Sequence, residues 1–172
     1  MSNNFLKFSL LIILFFGGIN LANALELNSP DFANNNFIPK QFTCNGANQP
    51  PTLQWQTIPN GTQSFALLVS DLDAPAGVWY HWLLFNIPAD AKQLTPNDKT
   101  LLAKINIGQN SWRHDSYEGP CPPKGQLHRY IFTLYALDIP LQLPDDIQAV
   151  DLLLAMQNHV LASATLQGRY HH

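Results

Sequence analysis

Basic charge is scarce in this sequence: nine Lys and Arg stand against twelve Asp and Glu, a formal net charge of −3. That balance excludes broad electrostatic capture of nucleic acid or of an anionic membrane, so any recognition of an anion must be local. Cysteine is rarer still, with Cys44 and Cys121 alone. Neither has the CxxC or CxxH spacing that zinc favours, and no metal or cofactor is expected. Long apolar runs are missing apart from FSLLIILFFGGI after Lys7, which is too short to span a bilayer comfortably. Internal repeats and low-complexity tracts are absent.

The lone apolar run follows a charged residue and ends at Ala22-Asn23-Ala24. That order reads as a secretory signal over residues 1–24, removed after Ala24. A membrane anchor is the alternative, but no second apolar segment or basic run follows. Cleavage leaves residues 25–172 as one ordinary domain with no stable membrane anchor, in the periplasm or outside the cell. In that oxidising setting two cysteines far apart are most simply one disulfide, Cys44–Cys121. A pair of buried free thiols, or half of a metal site, are the other possibilities that spacing leaves open.

Thirteen prolines cut the chain into short units. Between them lie strand-length segments rich in β-branched and aromatic residues. Ser64 to Asp71, Trp79 to Ile87 and Arg129 to Leu137 are apolar on both faces, which predicts strands in the middle of a sheet with something packed on each side. Leu101 to Ile107 alternates more and predicts a half-exposed strand. After Pro144, Asp145 and Asp146 precede Ile147, Val150, Leu153, Leu154 and Met156 at helical spacing, which predicts a helix to about Asn158. Val160 to Leu166 alternates again as a last strand. The prolines leave no room for helices between strands. An all-β dominated fold follows, an antiparallel β-sandwich with a peripheral C-terminal helix.

The polar residues gather at the boundaries of the most apolar segments. Residues two apart on a strand share a face, so His128 pairs with Tyr130, leading inward to Phe132 and Leu134. Trp79 likewise pairs with His81, leading to Leu83 and Phe85, and Asp71 aligns with Asp73 until Pro75 turns the chain. Three such strand ends brought together would build a cup lined by imidazoles, carboxylates, a phenol and indoles. Each residue alone has a plainer reading: a histidine beside apolar residues is commonly a satisfied structural imidazole, and aspartates before Ala74-Pro75 commonly cap a turn. Ser111, Trp112, His114, Asp115 and Tyr117 read as loop residues, because so local a span cannot reach triad geometry.

The motifs occur in an order that resembles one family. DLDAP at Asp71 to Pro75 is similar to a DPDAP motif, with Leu72 in place of the usual proline. WYHW at Trp79 to Trp82 is similar to a tryptophan-x-histidine segment. GPCPPKGQLHRY from Gly119 to Tyr130 is similar to a glycine- and proline-rich loop followed by histidine-arginine-tyrosine. Together with FTCNGANQPPTLQW near the start, they resemble the phosphatidylethanolamine-binding protein family, specifically its bacterial Raf-kinase-inhibitor-like branch. The resemblance implies an antiparallel sandwich whose cup takes phosphate-bearing groups. Carried over motif by motif, the ligand-binding set would be Asp71, Asp73, Pro75, Trp79, His81, Pro122, His128 and Tyr130.

Elementary chemistry agrees with that expectation. Imidazolium N–H and phenolic O–H groups donate to phosphate oxygens, and charge-assisted donors are the strong ones. Asp71 can orient a histidine and favour its protonated form, or accept from an ammonium whose other side rests on an indole such as Trp79. Arg129 is either an anion clamp or a structural ion-pair partner, since it alternates away from His128. The expected function is therefore non-enzymatic binding of a small phosphorylated ligand or phospholipid headgroup, with no nucleophile beside either histidine. The resemblance also implies a second possibility, a protein-interaction module that inhibits a kinase or protease partner.

Overall fold

The computed structural model describes residues 24–172; apart from Ala24, the expected signal segment lies outside the described residues. Nine strands occur among them. They are β1 (Glu26–Asn28), β2 (Asn36–Phe37), β3 (Leu53–Gln56), β4 (Ser64–Asp71), β5 (Trp79–Pro88), β6 (Gln93–Leu94), β7 (Asn106–Gly108), β8 (Leu127–Leu137) and β9 (Val160–His171). One helical turn, α1 (Lys99–Leu102), precedes β7, and a short helix, α2 (Ala149–Ala155), precedes β9. The large sheet runs β2-β9-β8-β4-β5-β7 and the small one β1-β3-β6. Pairing is antiparallel except at one edge, where β2 lies parallel to β9.

The three segments that are apolar on both faces do occupy the middle of the large sheet, as β8, β4 and β5. Alternation divides their side chains between two cores. Phe65, Leu67 and Val69 of β4 join Phe132 and Leu134 of β8 in the larger core, against Leu27, Leu53 and Trp55 of the small sheet. Ala66 and Leu68 point to the other face, where Leu141, Ile147 and Leu152 cover them. Burying both faces gives β4 an unbroken buried run from Ser64 to Asp71, as expected of a central strand covered on each side.

Two expectations fail locally. Leu101 to Ile107 is not one strand: the Asp98 side chain accepts from the Leu101 N–H at 2.9 Å, starting α1, so only Asn106 to Gly108 pair with β5. The C-terminal helix is shorter than its apolar spacing suggests. Asp145 does not start it but accepts from the Asn106 side chain at 3.0 Å. Gln148 and Asp151 form the reciprocal cap instead, and the buried face is Ala149 and Leu152, while Val150 and Leu154 stay exposed.

Candidate functional site

The C-terminal end of β4 and the N-terminal ends of β5 and β8 meet at one end of the large sheet's strands, because Asp71 is opposite Trp79 on one side and Tyr130 on the other. A register shift between Val69 and Ser70 decides which side chains reach that end. Trp82 and Leu84 belong to the larger core. Leu83 and Phe85, with Tyr80 beside them, belong to the opposite one. The parity therefore changes around His81, as expected where one strand carries an extra residue. His81 and Trp79 open on the cup, whereas Leu83 and Phe85 do not continue their face. The simple alternation rule is corrected here.

The cavity that results measures about 290 Å³. Of the residues singled out from sequence, Asp71, Pro75, Trp79, His81, Pro122 and His128 line it. Two others do not. Asp73 turns outward and binds Arg129, with Arg129 Nη2 donating to Oδ1 at 2.7 Å and Nε to Oδ2 at 2.9 Å. This is the ion-pair reading of Arg129, and the guanidinium holds the Asp73 carboxyl below its usual range. Tyr130 is fully buried and lies next to the cup's rings, 5.2 Å from the His81 ring centroid. Its hydroxyl finds no partner in hydrogen-bonding geometry among the described residues, although the Asp71 carboxylate is close enough to influence it. Burial first, then that negative charge, push its pKa above the ordinary phenol value.

Asp71 and His128 form the polar centre. His128 Nδ1 lies 2.7 Å from Asp71 Oδ2, while Asp71 Oδ1 accepts from the Asp73 N–H at 2.9 Å, so the carboxylate both orients a histidine and closes the turn. His128 Nε2 meets Gln126 Oε1 at 3.1 Å. His81 is held differently. Its Nδ1 is 2.6 Å from the Glu118 carbonyl oxygen, which can only accept, so Nδ1 carries the proton. Burial lowers the His81 pKa; the Glu118 hydrogen bond and the Asp71 charge oppose that without overcoming it. The expectation of two charged imidazoles is thus corrected for His81, which is driven toward its neutral form in the free cup.

Sequence reasoning missed Trp112 as a wall of the site. Ser111 anchors its loop to β5, donating from its N–H to the Tyr80 carbonyl at 2.9 Å and accepting the Tyr80 N–H on Oγ at 2.8 Å. Asn110 Oδ1 accepts from the Trp112 N–H at 2.9 Å. The Trp112 ring then stands edge-on to Trp79 at 5.3 Å and to His81 at 5.0 Å. The Ser111 and Asn110 side chains are the only local signal, as polar residues that tie a loop back to a strand.

Another wall comes from Cys121 to Pro123, braced by the early segment. Cys44 and Cys121 are joined, with Cα atoms 5.4 Å apart, and the Cys44 N–H donates to the Pro120 carbonyl at 3.2 Å. Tyr117 Oη donates to the Phe42 carbonyl at 2.8 Å, and the Gly119 N–H to Asn48 Oδ1 at 2.8 Å. Gly119 must be glycine, since a Cβ there would lie 2.3 Å from the Phe42 carbonyl oxygen. What emerges is a small cavity with apolar walls and a few convergent polar groups, the usual form of a small-ligand site.

A family model described as phosphatidylethanolamine-binding protein matches residues 28–171. A UPF0098 protein of Methanothermobacter thermautotrophicus is 42% identical over 149 residues, covering 85% of this chain and 98% of its own. LppC of Mycobacterium tuberculosis, named as a candidate lipoprotein, is 38% identical over 150 residues, covering 87% of this chain and 73% of its own. The crystal structure of CT736 from Chlamydia trachomatis, described as a candidate phosphatidylethanolamine-binding protein homologue, matches with a TM-score of 0.81 at 33% identity, over 87% of this chain and 99% of that one.

Proposed function

We infer function from the premise that this chain belongs to the phosphatidylethanolamine-binding protein family, and we propose that its cup binds a phosphorylated small molecule or phospholipid headgroup without turning it over. One observation carries this reading. Asp71, His81 and His128 converge on one small cavity whose other walls are apolar. Imidazole N–H groups donate to phosphate oxygens, and a small apolar site with a few convergent polar groups is the usual form of a small-ligand pocket.

Asp71 refines the class of ligand. A carboxylate in the cup repels a bare dianion, so the better match is a zwitterion such as phosphoethanolamine, with its phosphate on the donors and its ammonium toward Asp71. The apolar walls of Pro75, Trp79, Trp112 and Pro122 suit the rest of the molecule. Among the lining residues no hydroxyl or free thiol stands ready as a nucleophile, because the Cys121 sulfur is taken by the disulfide, which supports a binding role over hydrolysis.

The proposed location is outside the cytoplasm, in the periplasm or beyond. The signal-like segment, the disulfide and a relative named as a candidate lipoprotein all favour it. N-terminal sequencing from the native host is expected to give Leu25; Met1 on a cytoplasmic product would reject export. The ligand reading is tested by calorimetric titration of phosphoethanolamine into wild type and His128→Ala. The variant is expected to lose about 1.5–3 kcal/mol of binding, the scale of a hydrogen bond to a charged group. Equal affinities in two folded proteins would sink the anion-cup reading.

A further inference from the structure

On the side of the large sheet turned away from the cup, Arg129 of β8 and Arg169 of β9 stand directly opposite each other. Like charges in that relation repel unless a negative group lies with them. Asp73 provides one carboxylate, but Arg129 already uses both its oxygens, through Nη2, Nε and its own backbone N–H. Arg169 enters no salt bridge among the described residues. Its guanidinium carbon lies 5.1 Å from the centroid of the Phe37 ring, a contact that holds the cation in place without neutralising it. Its Nε is buried and has no acceptor among the described residues. The groove beside it, about 520 Å³, is lined by Asp73, Gln126, Leu127, His128, Arg129 and Arg169.

We propose that this groove is a second oxyanion site, which takes a phosphate or carboxylate group against Arg169 and the outer edge of Arg129. A guanidinium presents a planar fork of donors that matches two oxygens of either group. Arg169 is already oriented by Phe37, so little side-chain freedom is lost when an anion arrives. The surplus charge is local: two guanidiniums share one carboxylate, in a domain that is acidic as a whole. His128 borders both the groove and the cup, so the two sites are neighbours built from different charges. The groove does not depend on the cup's ligand, since neither arginine lines the cup.

The test is a titration of the isotopically labelled protein with inorganic phosphate, and separately with acetate, at constant ionic strength against chloride. Wild type, Arg169→Gln and His81→Gln are followed by amide and indole signals, since His81 lines the cup and not the groove. The expected result is a shift of the Gln167, Arg169 and His171 amides that survives in His81→Gln and weakens about tenfold or more in Arg169→Gln, the scale of one charge-assisted contact. Phosphate and acetate arms tell which oxyanion is taken. The Trp79 and Trp112 indole signals report the cup independently, so their silence would count against the cup alone. If the groove amides do not move in wild type, or move equally in Arg169→Gln, the second site does not exist. Should Arg169→Gln fail to fold, Arg169→Lys keeps the charge but loses the fork, and unchanged affinity there would equally overturn the proposal.

Discussion

Asp71 Oδ2 lies 2.7 Å from His128 Nδ1, with the two side chains only 6% and 3% exposed. The pair joins the last residue of β4 to the second of β8, two residues before Tyr130, the register partner of Asp71. A carboxylate can only accept, so Nδ1 carries a proton, while Nε2 faces the Gln126 side-chain amide at 3.1 Å. The same carboxylate accepts from the Asp73 N–H. One side chain therefore sets the ring's orientation and the shape of the following turn together.

Removing Asp71 should consequently damage both stability and the site. Asp71→Ala leaves a buried imidazole N–H and the Asp73 N–H without an acceptor, and is expected to cost about 3 kcal/mol, the low end for breaking a buried pair. Asp71→Asn keeps an acceptor oxygen and should cost clearly less while losing any preference for an ammonium-bearing ligand. Urea denaturation with phosphoethanolamine and inorganic phosphate titrations reads both. Equal destabilisation by Asn and Ala would assign the effect to charge instead of hydrogen bonding.

The disulfide spans 77 residues of sequence. In the chain-entropy account, opening a loop of that length removes about 4 kcal/mol of stability. Cys121 also belongs to the cup wall, so the doubly substituted Cys44→Ser, Cys121→Ser protein should bind phosphoethanolamine more weakly even where it is fully folded. Thermal unfolding and calorimetry on that protein, set against wild type, separate the two effects. An unchanged affinity would show that hydrogen bonds such as that from the Cys44 N–H suffice to hold Pro122 in place.

Gly119→Ala probes the same wall from its base. The added carbon would lie 2.3 Å from the Phe42 carbonyl oxygen, 2.7 Å from Asn48 Oδ1 and 2.9 Å from the Thr43 Cα. Two of these are backbone atoms on a segment pinned by the disulfide, so they cannot simply swing aside. Overpacking of this kind typically costs about 1–3 kcal/mol. The expected signature is lower stability in urea together with shifted signals from Tyr117 to Pro123; wild-type stability would mean that the early segment is free to retreat.

The legible parts of this fold were those decided by burial. Strands β4, β5 and β8 could be read because being apolar on both faces leaves no other placement, and the strand-end position of Asp71, His81 and His128 followed from them. What could not be read depended on contacts across the chain. The parity change at His81 arises from a register shift against β4 that no pattern within β5 announces. Asp73 left the cup because Arg129, 56 residues later, offers it a bidentate partner. Tyr130 went beneath the site because its ring is needed in the core. Trp112 arrived through a loop whose only anchors are Asn110 and Ser111. The helix start at Gln148 was hidden by the more conventional aspartates before it.

Burial ties the His81 ring to pH. Burial pushes its pKa below the ordinary imidazole value, against the opposing pull of the Glu118 carbonyl and the Asp71 charge. Between the folded-state pKa and the unfolded value near about 6.5, the unfolded chain therefore binds the proton that the folded chain releases. Stability rises with pH wherever the unfolded state holds more protons. The contribution is thus complete above about pH 6.5, declines as pH falls through that window, and is flat below the folded-state pKa. His81→Gln, which can still donate to the Glu118 carbonyl, removes this component and no other histidine. Urea midpoints from pH 5 to 8 should show wild type losing more stability on acidification than the variant; parallel curves would refute the assignment. An anion in the cup reverses the bias, because a negative charge beside His81 favours the imidazolium. Phosphoethanolamine binding near pH 7 should then be accompanied by proton uptake. Calorimetry in buffers of different ionisation enthalpy measures it directly, and the uptake should shrink in His81→Gln. Binding with no uptake in wild type would mean that His81 meets the ligand as a neutral ring, and that His128 holds the anion without it.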